Sequence, residues 1–82
     1  MPLTKEEVSI SIGKVIRELR QSQNLTIEEL ANKTGIEYSQ LSRIERGKIN
    51  TSAYHIYIII RTLNVPINTI FKTIIQSIRN KK

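Results

Sequence analysis

The chain has 82 residues, with 13 Lys and Arg against 7 Asp and Glu, a net charge of +6 and a pI near 10.0, so one small domain with a polyanionic partner is expected. It has no cysteine, a single histidine (His55) and three glycines, which excludes disulfide scaffolds, cysteine-rich zinc sites, thiol catalysis and glycine-rich phosphate loops. No apolar run reaches membrane-spanning length and Met1–Glu7 lacks an apolar secretory core, so neither a membrane nor export is expected and the cytoplasm is the expected location.

The first predicted element is a helix over residues 5–22. Val8, Ile12, Val15, Ile16 and Leu19 fall on one face at helical spacing. Thr4 with Glu7 three residues on reads as a capping box. Thr26 with Glu29 repeats that signature and starts a second, short helix carrying Ile27, Leu30 and Ala31, which Gly35 ends after Thr34. A third helix opens over Ile36–Gln40, turns Leu41 and Ile44 inward and stops at Gly47. Glu37 is expected to cap it. Residues 48–52 read as a loop, with Ser52 as N-cap of a fourth helix, Ala53 to Leu63. The run Ile56–Ile60 has high β-propensity, but a lone strand has no partner elsewhere in the chain. Asn64-Val65-Pro66 separates a fifth helix, from Ile67 to about Ile78.

Two features stand out in this order of elements. The second and third helices meet at Thr34-Gly35-Ile36, a three-residue turn with a glycine suited to positive φ, and Ala31 is small where the two must cross. That is a helix-turn-helix. Charge is also segregated: all seven acids lie in residues 1–45, whereas Arg46 to Lys82 holds seven bases and no acid.

The stretch Leu25-Thr26, Glu29-Leu30-Ala31, Gly35-Ile36 and Leu41-Ser42-Arg43-Ile44-Glu45-Arg46-Gly47, with Ile12 to Arg20 before it and Ser52 and Leu63-Asn64-Val65 after it, resembles the Cro/repressor-type helix-turn-helix proteins (the XRE family). Phage repressors and restriction–modification controller proteins share the pattern. The resemblance spans about residues 8–72. It implies an all-α, five-helix, lambda-repressor-like domain over 5–78, with the helix-turn-helix unit at 26–46, dimerisation helices within 53–78 and a basic tail at 79–82. It also implies a homodimer on a pseudo-palindromic operator, the third helix lying in the major groove.

Carried over residue by residue, the resemblance places Tyr38, Ser39, Ser42 and Arg43 against base edges, and their spacing puts them on one face opposite Leu41 and Ile44. Arg43 is the strongest reader, because a guanidinium pairs with O6 and N7 of guanine. Thr26 with the first amides of helix two, then Arg46, Lys48 and Asn50, are expected to hold phosphates. Arg20 and Glu45 match an internal ion pair between the first and third helices. Gln40 is near enough to meet the DNA but is expected to point aside, and Lys14 and Arg17 are solvated or flank the duplex. Where the family usually has a phosphate-bonding glutamine after the position of Thr26, this chain has Ile27, which weakens that contact or replaces it by a methyl contact.

Helices four and five carry more apolar surface than a monomer of this size needs. Tyr54, Ile58, Ile74 and Ile78 are taken as surplus, and a two-fold dimer interface through Ile58, Ile74 and Ile78 is expected. His55 is read as a surface or interface residue without metal or catalytic role.

These readings give a sequence-specific DNA-binding transcriptional regulator whose partners are double-stranded DNA and a second copy of the chain. The alternative is a protein-interaction module, such as an antitoxin that masks a toxin. An enzyme fails on inventory: one histidine, no cysteine and no clustered carboxylates. No cofactor and no metal are expected. The Ile, Asn and Lys content points to an AT-rich bacterial genome, so the chain is expected to be bacterial or phage-encoded and nucleoid-associated when bound.

Overall fold

The structure, a computed structural model, describes residues 4–48 and 52–79. Five helices follow in order: α1 (Lys5–Ser22), α2 (Ile27–Thr34), α3 (Tyr38–Glu45), α4 (Ala53–Leu63) and α5 (Ile67–Arg79). There is no strand among the described residues, and Ile56–Ile60 lies inside α4.

Both capping boxes form. The Glu7 amide donates to the Thr4 hydroxyl oxygen at 3.0 Å and the Thr4 amide donates to the Glu7 carboxylate at 2.9 Å. Thr26 and Glu29 repeat this at 3.0 and 2.8 Å. Each box satisfies two amide donors that the first helical turn otherwise leaves unpaired. Gly35 ends α2 at φ 76°, where a side chain would be strained. α3 begins at Tyr38, two residues after the expected opening, because Ile36 is spent in the turn and buried there. Glu37 occupies the N-cap position but makes no side-chain cap bond. The expected cap is corrected accordingly: the long glutamate arm stands out in solvent, and a short Ser, Thr, Asp or Asn suits that bond better.

The core has two linked parts. Leu30, Ala31, Ile36, Leu41, Ile44, Ile59 and Leu63 close around Ile16 of α1 and lock α2, α3 and α4 together. Val15, Ile60, Ile70 and Ile74 form a second cluster that fastens α5 to α1. The side-chain amide of Gln23 adds a 2.7 Å bond to the Leu63 carbonyl and ties the end of α1 to the end of α4.

This second cluster corrects one expected interface residue. Ile74 is only 7% exposed, because the α1–α5 contact has already taken it. Ile58 and Ile78 are half-buried. The unsatisfied apolar surface lies one step round α5, on Ile67, Phe71 and Ile75, which are 54, 45 and 53% exposed, and on Tyr54 and Tyr57 of α4. No single helix among the described residues is long and apolar enough to cross a membrane, and α4 and α5 bend by 112° at the break between them.

Candidate nucleic-acid interface

α3 is an eight-residue helix with two distinct sides. Leu41 and Ile44 are fully buried and Glu45 is nearly so. On the opposite side Tyr38, Ser39 and Arg43 are exposed and Ser42 is half-buried. A rotation of about 100° per residue puts these four on one contiguous outward face. The structure thus brings together all four residues expected to meet bases. None of their side chains bonds another described residue, so their donors and acceptors are free to meet a ligand.

The orientation of this face is set from α1. Arg20 extends from the last turn of α1, its Nε donating to Glu45 Oε2 at 2.7 Å and one terminal nitrogen to Oε1 at 3.0 Å. The other terminal nitrogen donates to the Leu25 carbonyl at 2.7 Å. The expected ion pair is therefore bidentate, and both side chains are buried. The hydrogen bonds to Glu45 hold the Arg20 guanidinium above its ordinary pKa, against the opposing effect of burial. One guanidinium thereby grips α3 and the loop before α2 at once.

A second device brings α1 close. Gly13 faces the end of α3 so tightly that a Cβ there would overlap the Ile44 carbonyl oxygen and lie 2.6 Å from that of Glu45. The apolar periodicity of α1 did not mark this contact. A glycine inside an otherwise good helix is the signal that could have found it.

The expected phosphate contacts fare unevenly. Thr26 is exposed at the start of α2, but its amide already serves Glu29 and its oxygen already accepts from the Glu29 amide. The amides left without an intrahelical partner are those of Ile27 and Glu28. Ile27 is half-buried, packed against the core cluster that joins α2, α3 and α4. Arg46 and Lys48 are exposed just beyond α3, and Arg46 Nε donates to the Ser42 carbonyl at 3.3 Å. Asn50 lies outside the described residues. Lys14 and Arg17 are exposed on α1.

One pair escaped the sequence reading. Gln40, half-buried on the flank of α3, brings its amide nitrogen to 3.5 Å from His55 Nδ1 in the first turn of α4. The His55 ring lies 5.8 Å from that of Tyr54, and its backbone amide donates to the Ser52 cap. Fifteen residues separate Gln40 from His55, and no periodicity links them.

The family model described as "Helix-turn-helix" matches residues 16–70 of the chain. A protein named "Uncharacterized transcriptional regulator in ATPase CF(0) region", from Rhodospirillum rubrum, is 34% identical over 68 residues, 83% of this chain; the chain spans 63% of that relative's length. An "Uncharacterized HTH-type transcriptional regulator" from Archaeoglobus fulgidus is 39% identical over 56 residues, covering 68% of this chain and 79% of the relative. Among solved structures, the restriction-modification controller protein C.Esp1396I, as a tetramer in complex with its natural 35 base-pair operator, matches with a TM-score of 0.80 at 27% identity, over 87% of this chain and 93% of that one.

Proposed function

The chain belongs to the helix-turn-helix family, as an XRE-type transcriptional regulator, and we propose that it binds a pseudo-palindromic operator as a homodimer, with α3 of each copy in the major groove. The observation that carries this reading is the outward face of α3. Tyr38, Ser39, Ser42 and Arg43 make no side-chain bond to another described residue, on a helix whose other side is locked into the core. A regulator of this kind does no chemistry; it occupies or recruits. Arg46 and Lys48 follow α3 at the place where a duplex backbone would pass, and the +6 charge supports the same surface. Its place of action on this reading is the cytoplasm, on the nucleoid.

Arg43 carries the largest share of base discrimination. Selection from a pool of random duplexes at about 150 mM salt is expected to enrich an inverted repeat with half-sites about one helical turn apart. Arg43→Ala is expected to lose preference at one base pair of each half-site, about 1–3 kcal/mol per contact. Binding that fades with salt and enriches no sequence would sink the operator reading.

Dimerisation is proposed through α5. Ile67, Phe71 and Ile75 recur at i, i+4 and i+8, and half-buried Ile78 continues their stripe. Ile58 and the exposed Tyr54 and Tyr57 of α4 extend the apolar surface. The oligomeric state of the controller protein on its operator supports this reading. Phe71→Asp is expected to leave the helical content intact, since the ring is nearly half exposed, and to yield a monomer in sedimentation velocity at micromolar concentration. Operator affinity is expected to fall at least tenfold with it. A variant that still sediments as a dimer would exclude α5 from the interface. The same apolar face admits the second reading, a module that masks another protein such as a toxin; a wild-type chain that is itself monomeric would favour it.

A further inference from the structure

We infer that Gln40 is a further operator-contacting residue, and that His55 positions it by setting which end of its amide faces the DNA. This rests on the operator reading above. Gln40 stands on α3 between Ser39 and Leu41, one turn before Arg43, on the flank that leads from the base-facing side towards α4. Its carboxamide is half-buried, and its nitrogen lies 3.5 Å from His55 Nδ1.

The chemistry of that contact has two states. A neutral imidazole with its proton on Nε2 offers Nδ1 as an acceptor. The Gln40 NH2 then turns towards the ring, and its carbonyl oxygen, an acceptor, faces outward. A protonated imidazole has donors on both nitrogens. The amide must then invert, its oxygen towards the ring and its NH2 outward. The outward atom thus changes from acceptor to donor, and a positive charge arises beside it.

Duplex DNA presents mainly acceptors there: phosphate oxygens, O6 and N7 of guanine, N7 of adenine and O4 of thymine. The protonated state of the pair is therefore the better match, and DNA binding takes up a proton at His55. The contact is long, so inversion of the amide gives up little.

No carboxylate among the described residues comes within 4.0 Å of the His55 ring. From its own helix the ring meets Tyr54, and from α3 it meets Gln40. The charged groups of α3 and the turn after it are the bases Arg43, Arg46 and Lys48 and the carboxylate Glu45, which is committed to Arg20. On α2, Glu28, Glu29 and Lys33 are exposed, with Glu29 committed to the Thr26 cap; on α1, Arg20 is committed to Glu45. Histidine is the side-chain type that ordinarily changes charge between pH 5 and 8, and His55 is the only one in the chain.

The test is fluorescence anisotropy on the duplex enriched by the selection above, at constant ionic strength, at pH 5.8 and pH 7.5. The full wild-type chain is expected to bind three- to tenfold more tightly at pH 5.8. His55→Gln and Gln40→Ala, each checked for folding by circular dichroism, are expected to flatten that profile, and Gln40→Ala is expected to weaken binding at pH 5.8 as well. A purely structural role for His55 would lower affinity at both pH values without changing their ratio. An enriched duplex whose wild-type affinity is the same at both values overturns the pair alone. So does a pH response that survives in both variants. Failure to enrich any duplex at either pH overturns the operator reading and this inference with it.

Discussion

Glu45→Ala is expected to destabilise the domain by about 3–5 kcal/mol, because it leaves a buried guanidinium without its counter-charge. A domain of this size has a total stability of about 5–10 kcal/mol, so the variant should stand near the edge of folding. Its midpoint of thermal unfolding should fall by more than about 10 °C. The reason lies in geometry: Arg20 makes two bonds to the carboxylate and one to the Leu25 carbonyl, and both side chains are shut away from water. The double variant Arg20→Met with Glu45→Leu should recover most of the loss, since removing both charges also removes the desolvation penalty. A single variant that loses less than about 1 kcal/mol would place the pair among ordinary solvated ones. Alkali is no substitute for this experiment. The pKa of Arg20 is raised on folding, so its contribution is complete at every pH below the ordinary arginine value and is lost only as pH rises through the raised one.

Gly13→Ala is expected to reverse the usual sign of such a change. In an unconstrained helix interior, alanine in place of glycine gains about 0.5–1 kcal/mol. Here the new methyl group would overlap the Ile44 carbonyl oxygen and press on that of Glu45. Both obstacles are backbone, which cannot rotate aside, so α1 and α3 must separate. The expected net loss is about 1–3 kcal/mol, and the Arg20–Glu45 bonds should lengthen with it. Urea unfolding of the variant beside wild type decides the matter: a higher midpoint would mean that the two helices have room to spare.

Much of the fold was legible because its signals are local. Thr4 with Glu7 and Thr26 with Glu29 announce helix starts through bonds that span three residues, and Gly35 announces a stop through its own backbone angle. The outward face of α3 was legible because Leu41 and Ile44 fix the inward one. The Arg20–Glu45 pair came from resemblance, since 25 residues of chain separate its members. The misreadings share one cause, tertiary placement. Ile74 and Ile75 are equally apolar, and only the docking of α5 on α1 buries the first and leaves the second in water. Glu37 is at the right place for a cap with the wrong length of side chain. Gln40 and His55 meet only because α4 brings its first turn to the flank of α3.

The position of α1 has a consequence for what the molecule measures. α1 holds α3 through Gly13 and Arg20, and it holds α5 through Val15. On the proposed homodimer reading, the two α5 helices form the seam and the two α3 helices are the probes. The distance between probes is then transmitted through two copies of one 18-residue rod. A straight α-helix is about 1.5 Å long per residue and bends little. The spacing of half-sites along the DNA becomes a length written in the body of the protein, far from any base. A change in the pitch of α1 against α5 would retune the ruler and leave its alphabet untouched.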